Sequence, residues 1–382
     1  MASITLRPTT ESRNEKIGID WWMLGAAIAL TLIGLASIFS SGYGESVKEF
    51  KKQIINICLG LVPMGIFAFC HPRIWAKVSK IVYVVNLLFL VGVLAVGQTT
   101  NGAERWIGFG PIQFQPSELS KILIVLTLAT FYASRQDQIK SFSTFALGAL
   151  HVFVPVLLIL KQPHLGASLL ILTVWVALSL VAGVSPKYMF MVIGSFLILT
   201  TLVFKAPSVR KVVLQDYQWE RILGLLGVES KQTGKKVKDM KYQTDVASYA
   251  FANGGIAGTG YLKGEVKHRV PFVSTDFIFS LIGEEFGMLG CFAVYGIFAL
   301  LFYRIWLGML NAADFYYQMI MAGILTILGF HTIVNTGMVL GWLPVVGLWC
   351  PFLSYGGTAI WLCMSLVGLA LNVRARERVV LF

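Results

Sequence analysis

The run PFVSTDFIFSLIGEEFGMLG, from Pro271 to Gly290, decides how the rest of the chain is read. It opens polar at Ser274-Thr275-Asp276, then turns apolar as far as Phe302, interrupted by Glu284 and Glu285. An apolar stretch of this length is that of a membrane-crossing helix. Ionisable groups within such a segment are costly, and by default they mark function. Asp276 stands at the mouth, where a substrate group outside the lipid can still reach it. It is therefore the candidate general base of a membrane enzyme. On an ideal helix turning about 100° per residue, Glu284 and Glu285 leave the axis in different directions. They cannot both share a cavity with Asp276, and packing or relay roles are expected for them.

Composition widens this to the whole chain. Of 382 residues, 56% are hydrophobic and 13% charged, which is the make-up of a polytopic membrane protein rather than a soluble one. Lys and Arg (31) outnumber Asp and Glu (19), giving a net charge of +12. These basic residues lie between apolar spans, so anionic lipid or phosphate is the expected partner, not nucleic acid. The first apolar run, Asp20 to Ser41, is long enough to remain as a span instead of being removed as a signal. Cys58, Cys70, Cys291, Cys350 and Cys363 form no CxxC pair and read as small packing residues. His71, His151, His164, His268 and His331 show no metal-ligand spacing, and no Walker A or GxSxG pattern occurs.

Ten spans are predicted, at 20–41, 52–70, 79–97, 117–133, 143–161, 165–183, 186–205, 277–303, 315–340 and 355–373. The expected fold is thus all-α and polytopic, with both termini on one face. Lys and Arg of the short loops concentrate on that face (Arg7, Lys80, Arg135, Arg304 and Arg378 among them), which makes it cytoplasmic. Residues 1–19 become a cytoplasmic arm and 374–382 a cytoplasmic tail. Residues 206–275, between the seventh and eighth spans, become a large extracytoplasmic loop. Loops of that length are functional or disordered. Within it lie Arg210, the basic run Lys231–Lys241, and Arg221 on a short amphipathic segment that Trp219 anchors to the interface. The Gly-rich piece NGGIAGTGYLKG, Asn253 to Gly264, carries Lys263 and suits tight turns and close backbone approach better than a nucleotide loop.

Two further segments bracket the candidate base. Thr99 to Lys121 is broken by Gly and Pro but apolar at Trp106, Ile107, Phe109, Ile112 and Phe114, so it dips towards the membrane as non-helical backbone. Glu118 and Lys121 follow at i,i+3 on one helix face and can pair, either as a structural ion pair or facing a substrate cavity. Asn335 to Gly357 has too much Gly and Pro for one smooth helix and reads as a re-entrant loop beside Asp276, with Ser354 and Tyr355 as polar ends.

These motifs, in this order, resemble the SEDS family (RodA, FtsW and SpoVE). They are Gly102-Ala103-Glu104-Arg105-Trp106-Ile107, Phe114-Gln115-Pro116-Ser117-Glu118 with Lys121, and Gln162-Pro163-His164-Leu165-Gly166. After the long loop come Gly254-Gly255 with Gly258 and Gly260, Thr275-Asp276-Phe277-Ile278-Phe279, Gly283-Glu284-Glu285, Asn335-Thr336-Gly337-Met338 and Pro351 to Gly357. The resemblance implies a ten-helix peptidoglycan glycosyltransferase of the bacterial plasma membrane that polymerises lipid II beside a class B penicillin-binding protein. Its essential aspartate maps onto Asp276. Pro344-Val345-Val346-Gly347 looks more like the RodA elongation branch than the FtsW division branch. The chain departs from the family pattern at His164, Phe272, Trp349-Cys350 and Thr358.

Such a reaction needs a base for a sugar 4-hydroxyl and cations for a departing undecaprenyl pyrophosphate. Asp276 is the expected base. Arg105 and Lys121, then Arg210, Arg221 and Lys263, are the expected cations, with Trp106, Glu118 and Ser354 also on the substrate side. No cofactor is implied, and a divalent cation assisting the pyrophosphate stays open. A lipid II flippase, or a scaffold for the penicillin-binding protein, is the rival expectation.

Overall fold

A computed structural model describes residues 18–44, 46–100, 103–109, 112–208, 210, 219 and 234–376. The helices are α1 (Trp21–Ser41), α2 (Lys48–Phe69), α3 (Pro72–Lys77), α4 (Ser79–Val96), α5 (Pro116–Ala133), α6 (Phe142–Lys161), α7 (Leu165–Ala182), α8 (Pro186–Lys205), α9 (Gly234–Asn253), α10 (Ile278–Leu310), α11 (Phe315–Val339) and α12 (Gly357–Arg374). Each expected span overlaps one of these helices. Seven (α1, α2, α6, α7, α10, α11 and α12) are long and apolar enough to cross a membrane by length and composition. Side-chain caps fix several starts: Asp20 accepts from the Met23 amide, Ser141 from Thr144, and Asp314 from Tyr317.

The bundle is centred on α5, α11 and α12, whose side chains are mostly buried. Helix α12 lies along α2, α10 along α1 and α11, and α11 against α5 and α7. By contrast, α2 and α4 present Ile55, Leu61, Val62, Val84 and Leu88 outward. In a chain of this composition, that surface suits lipid rather than water.

Three features depart from the expected layout. First, the segment before α5 is a small antiparallel sheet, with β1 (Gln98–Thr100), β2 (Ala103–Phe109) and β3 (Ile112–Phe114) in that order. Gly and Pro break any helix there, and β2 carries the β-favouring residues Trp106, Ile107 and Phe109. Second, the region expected as loop contains α9, which packs on α10 and α11 through residues such as Ala247 and Ala250. Third, α10 is interrupted at Gly287, whose φ of 63° and ψ of −165° are not helical.

Candidate active site

Asp276 precedes the first turn of α10. Its segment turns sharply at Phe272, whose φ of 56° is left-handed and whose carbonyl accepts from the amides of Thr275, Asp276 and Phe277. The helical-wheel argument for Glu284 and Glu285 therefore does not apply, because Asp276 is not on the helix. The next three side chains, Phe277, Ile278 and Phe279, are buried and anchor the turn. Asp276 itself is half-buried.

The non-helical segment between α11 and α12, expected to be re-entrant, is laced to that turn. Ser274 O accepts from the Tyr355 amide at 2.8 Å. Thr275 O accepts from Ser354 Oγ at 2.6 Å, and Asp276 O from Asn335 Nδ2 at 2.7 Å. A Cβ added to Gly347 would stand 3.7 Å from Asp276 Oδ2, so this stretch of backbone passes beside the carboxylate. Ser354 also accepts from the Cys350 amide at 2.8 Å. It is 3% exposed, and its hydroxyl is engaged in shaping the loop.

Behind this loop lies a buried polar cluster. Lys121 Nζ donates to Glu118 Oε1 at 2.7 Å and to His331 Nε2 at 2.9 Å. His331 Nδ1 in turn donates to Trp349 O at 3.1 Å, which fixes the tautomer that leaves Nε2 free to accept. The Trp349 indole donates to Glu118 Oε2 at 3.0 Å and stacks on His331 at 3.8 Å between centroids. Glu118 and Lys121 thus form the ion pair that their spacing allows, and both are withdrawn from the surface. Next to it, His164 Nδ1 lies 3.1 Å from Ser117 Oγ. Thr358 Oγ1 accepts from the Gln115 amide at 3.2 Å.

A third cluster ties the segment that precedes α10 to that helix. The Glu284 carboxylate accepts the amides of Val266 and Lys267, both at 2.8 Å. Lys267 Nζ reaches Glu285 Oε1 at 2.7 Å and Ser40 Oγ at 2.8 Å. The Gly-rich piece then fills the break in α10. The amides of Thr259 and Gly260 donate to the carbonyls of Glu284 and Glu285, while those of Met288 and Leu289 donate to Gly255 and Ile256. Backbone groups released by the broken helix are thereby satisfied within the protein, as a membrane segment requires. In the same loop, burial and then the Glu285 charge push the Tyr261 phenol above its usual range.

The expected cations are scattered. Lys263 is exposed on the Gly-rich loop. The Arg210 guanidinium lies 4.8 Å from the Trp219 ring. Trp106 is half-buried in β2. Arg105 falls in the same strand, and its side chain, like all of Arg221, lies outside the described residues. Among the described residues, no group of three or more His, Cys, Asp or Glu side chains is placed to hold a metal ion.

A family model, described as cell cycle protein and named for FtsW, RodA and SpoVE, matches residues 18–379. The chain belongs to the FtsW/RodA/SpoVE family. It is 30% identical to the peptidoglycan glycosyltransferase MrdB of Escherichia coli, covering 98% of each chain. It is 33% identical to a probable peptidoglycan glycosyltransferase FtsW of Geobacter sulfurreducens, over 94% of this chain and 95% of that one. Among solved structures, the rod shape determining protein RodA of Thermus thermophilus superposes with a TM-score of 0.70 at 26% identity, over 95% of this chain and 98% of that one. A chain from a peptidoglycan synthase complex coordinating polymerization and crosslinking gives 0.78 at 30% identity, over 94% and 98%.

For this FtsW/RodA/SpoVE chain, sequence reasoning singled out Asp276, Glu118, Lys121 and Ser354, and the last three lie in or beside the hydrogen-bonded framework around the first. It missed Lys267, His331, Asn335 and Trp349 as polar partners. Lys267 and His331 carried no spacing signal. Asn335 and Trp349 carried one: a carboxamide inside an apolar helix, and an indole where the family pattern differs.

Proposed function

We propose that the chain is a peptidoglycan glycosyltransferase of the bacterial plasma membrane that polymerises lipid II during cell-wall elongation, with Asp276 as general base. The observation that carries this is the placement of Asp276. It is a half-buried carboxylate at the head of α10, on a turn whose carbonyls are held from α11 and the re-entrant segment. The chain's relatives over nearly its whole length bear the name of that activity.

In this reading the carboxylate takes the proton of a sugar 4-hydroxyl as its oxygen attacks the anomeric carbon of a second lipid-linked sugar. The bond to the pyrophosphate breaks with its electron pair, and undecaprenyl pyrophosphate leaves. A single displacement without a covalent sugar intermediate inverts the anomeric centre. General-base help of this kind contributes about 10²–10⁴ in rate. Lys263 and Arg210, on the same extracytoplasmic side, are the accessible cations for the leaving group, together with Arg105 and Arg221. Lys121 serves there only if substrate draws it from Glu118 and His331. Trp106 is assigned to packing against sugar or lipid.

The chain is read as one membrane domain of ten spans, with arm 1–19 and tail 374–382 cytoplasmic and 206–275 outside. Its partner is a class B penicillin-binding protein. The test is polymerisation of purified lipid II by the chain reconstituted with that partner. Asp276→Asn is expected to yield no glycan, whereas a flippase or scaffold tolerates it. Polymer made by the variant overturns the assignment.

A further inference from the structure

We propose that Asn335 is a positioning residue for glycosyl transfer, holding the Asp276 turn against the re-entrant segment through both hydrogens of its side-chain amide. The inference rests on the function proposed above. Asn335 Nδ2 donates to Asp276 O and to Leu348 O, each at 2.7 Å. Both partners are carbonyl oxygens, so the nitrogen is assigned by chemistry. The side chain is fully buried on α11, four residues after His331 and therefore on the same helix face. Between them the two side chains hold consecutive carbonyls of the re-entrant segment, Leu348 and Trp349.

The bond to Asp276 acts on a backbone group just ahead of the helix. Ser280 donates its amide to Phe277 O, one residue after Asp276. Three successive carbonyls, of Ser274, Thr275 and Asp276, instead take donors from Tyr355, Ser354 and Asn335. Of these, Asn335 alone is on a regular helix and touches the residue that bears the base. Its own oxygen, Oδ1, is buried and meets no protein hydrogen-bond donor among the described residues, so the side chain is held through its two N–H groups.

The geometry also joins two clusters. Lys121 and Glu118 hold His331 and Trp349, these set the re-entrant backbone, and Asn335 passes that setting to Asp276. Catalysis depends on such placement, since a misplacement of about 1 Å costs about 10² in rate.

The experiment measures lipid II polymerisation by the full chain with its transpeptidase partner, for wild type, Asp276→Asn, Asn335→Ala and Asn335→Asp. The aspartate variant keeps the volume and removes both N–H donors. The expected result for both Asn335 variants is a fall in kcat of about 10²-fold with KM for lipid II within about twofold of wild type, because the substrate contacts remain while the base is displaced. A kcat within about twofold of wild type overturns the proposal, as does a KM that rises in step with the loss, which would assign Asn335 to substrate binding. Failure of both variants to fold overturns it in favour of a purely structural role. If wild type makes no polymer, or Asp276→Asn still does, the glycosyltransferase reading falls and takes this one with it. If those controls hold and an Asn335 variant keeps its kcat, only this inference falls.

Discussion

Lys267 Nζ stands 2.7 Å from Glu285 Oε1, with the two side chains 1% and 0% exposed. The pair ties the segment that leads into Asp276 to the first part of α10, and Ser40 adds α1 to the same point. Removing one member strands the other charge in a dry site. Lys267→Met is therefore expected to destabilise the fold by about 3–5 kcal/mol. Lys267→Met combined with Glu285→Gln should recover most of that loss, because neither charge is then stranded. Thermal unfolding in detergent compares the two. A double variant no more stable than Lys267→Met contradicts the pairing.

The repair of the α10 break makes a sharper prediction about two neighbouring glycines. Gly258 has φ of +82°, and a Cβ there would lie 2.2 Å from Glu285 O. Gly255 has φ of +54°, but its Cβ would meet open space. Both substitutions carry the left-handed penalty of about 1–2 kcal/mol, whereas only Gly258→Ala also forces the loop off the helix carbonyls. Gly255→Ala is expected to fold with a slightly lowered unfolding temperature. Gly258→Ala should lower yield and unfolding temperature far more, and equal behaviour of the two would show that the loop does not dock there.

Much of this architecture was legible in the sequence because membrane spans are written in composition. Long apolar runs bounded by Gly, Pro and charge mark α1, α6, α7, α11 and α12 without any tertiary information. The Glu118–Lys121 pair follows from helical spacing, and the non-helical connection between α11 and α12 from its glycines and prolines. What stayed hidden depends on contacts between distant parts of the chain. The break in α10 falls at one glycine in an apolar string and is stabilised by a loop about thirty residues earlier in sequence. Lys267 looked like one more cation in a basic external loop, and only its approach to Glu285 and Ser40 makes it a buried group. The little sheet was hidden differently: its strands are short, and their apolar residues read equally as a membrane-dipping segment.

Trp349 tests the cluster behind the candidate base. Its ring stacks on His331 while its N–H satisfies Glu118 Oε2. Trp349→Phe keeps an aromatic face but leaves that carboxylate oxygen short of a donor, at a cost of about 1.5–3 kcal/mol for a hydrogen bond to a charged acceptor. Trp349→Ala should cost more, because it adds a cavity of indole size to the same loss, bringing the total to about 3–5 kcal/mol or beyond. Unfolding midpoints of the three proteins give the order wild type, Phe, Ala. A Phe variant as stable as wild type would mean that the indole N–H contributes nothing.

The opposite end of the bundle offers a contrast between two kinds of ion pair. Asp20, with its side chain 3% exposed, accepts from Arg304 at 2.7 Å and from Arg374 at 2.9 Å, joining the start of α1 to the ends of α10 and α12. Asp314 meets Arg73 at 3.2 Å with side chains 32% and 47% exposed. Solvent screens the second pair and hardly reaches the first. Asp20→Asn retains an N-cap acceptor for the Met23 amide but replaces the oxygen that Arg304 and Arg374 share with an NH2 group, so it removes the ion pairs and their hydrogen bonds while keeping the cap. It is expected to cost about 1.5–3 kcal/mol, and the loss should persist in about 0.5 M salt, because a largely buried site is weakly screened. Arg73→Ala is expected to cost about 0–1 kcal/mol, and that small difference should vanish in the same salt. If salt erased the effect of Asp20→Asn as well, the carboxylate would have to be open to water, and the close approach of α1, α10 and α12 around it would be wrong.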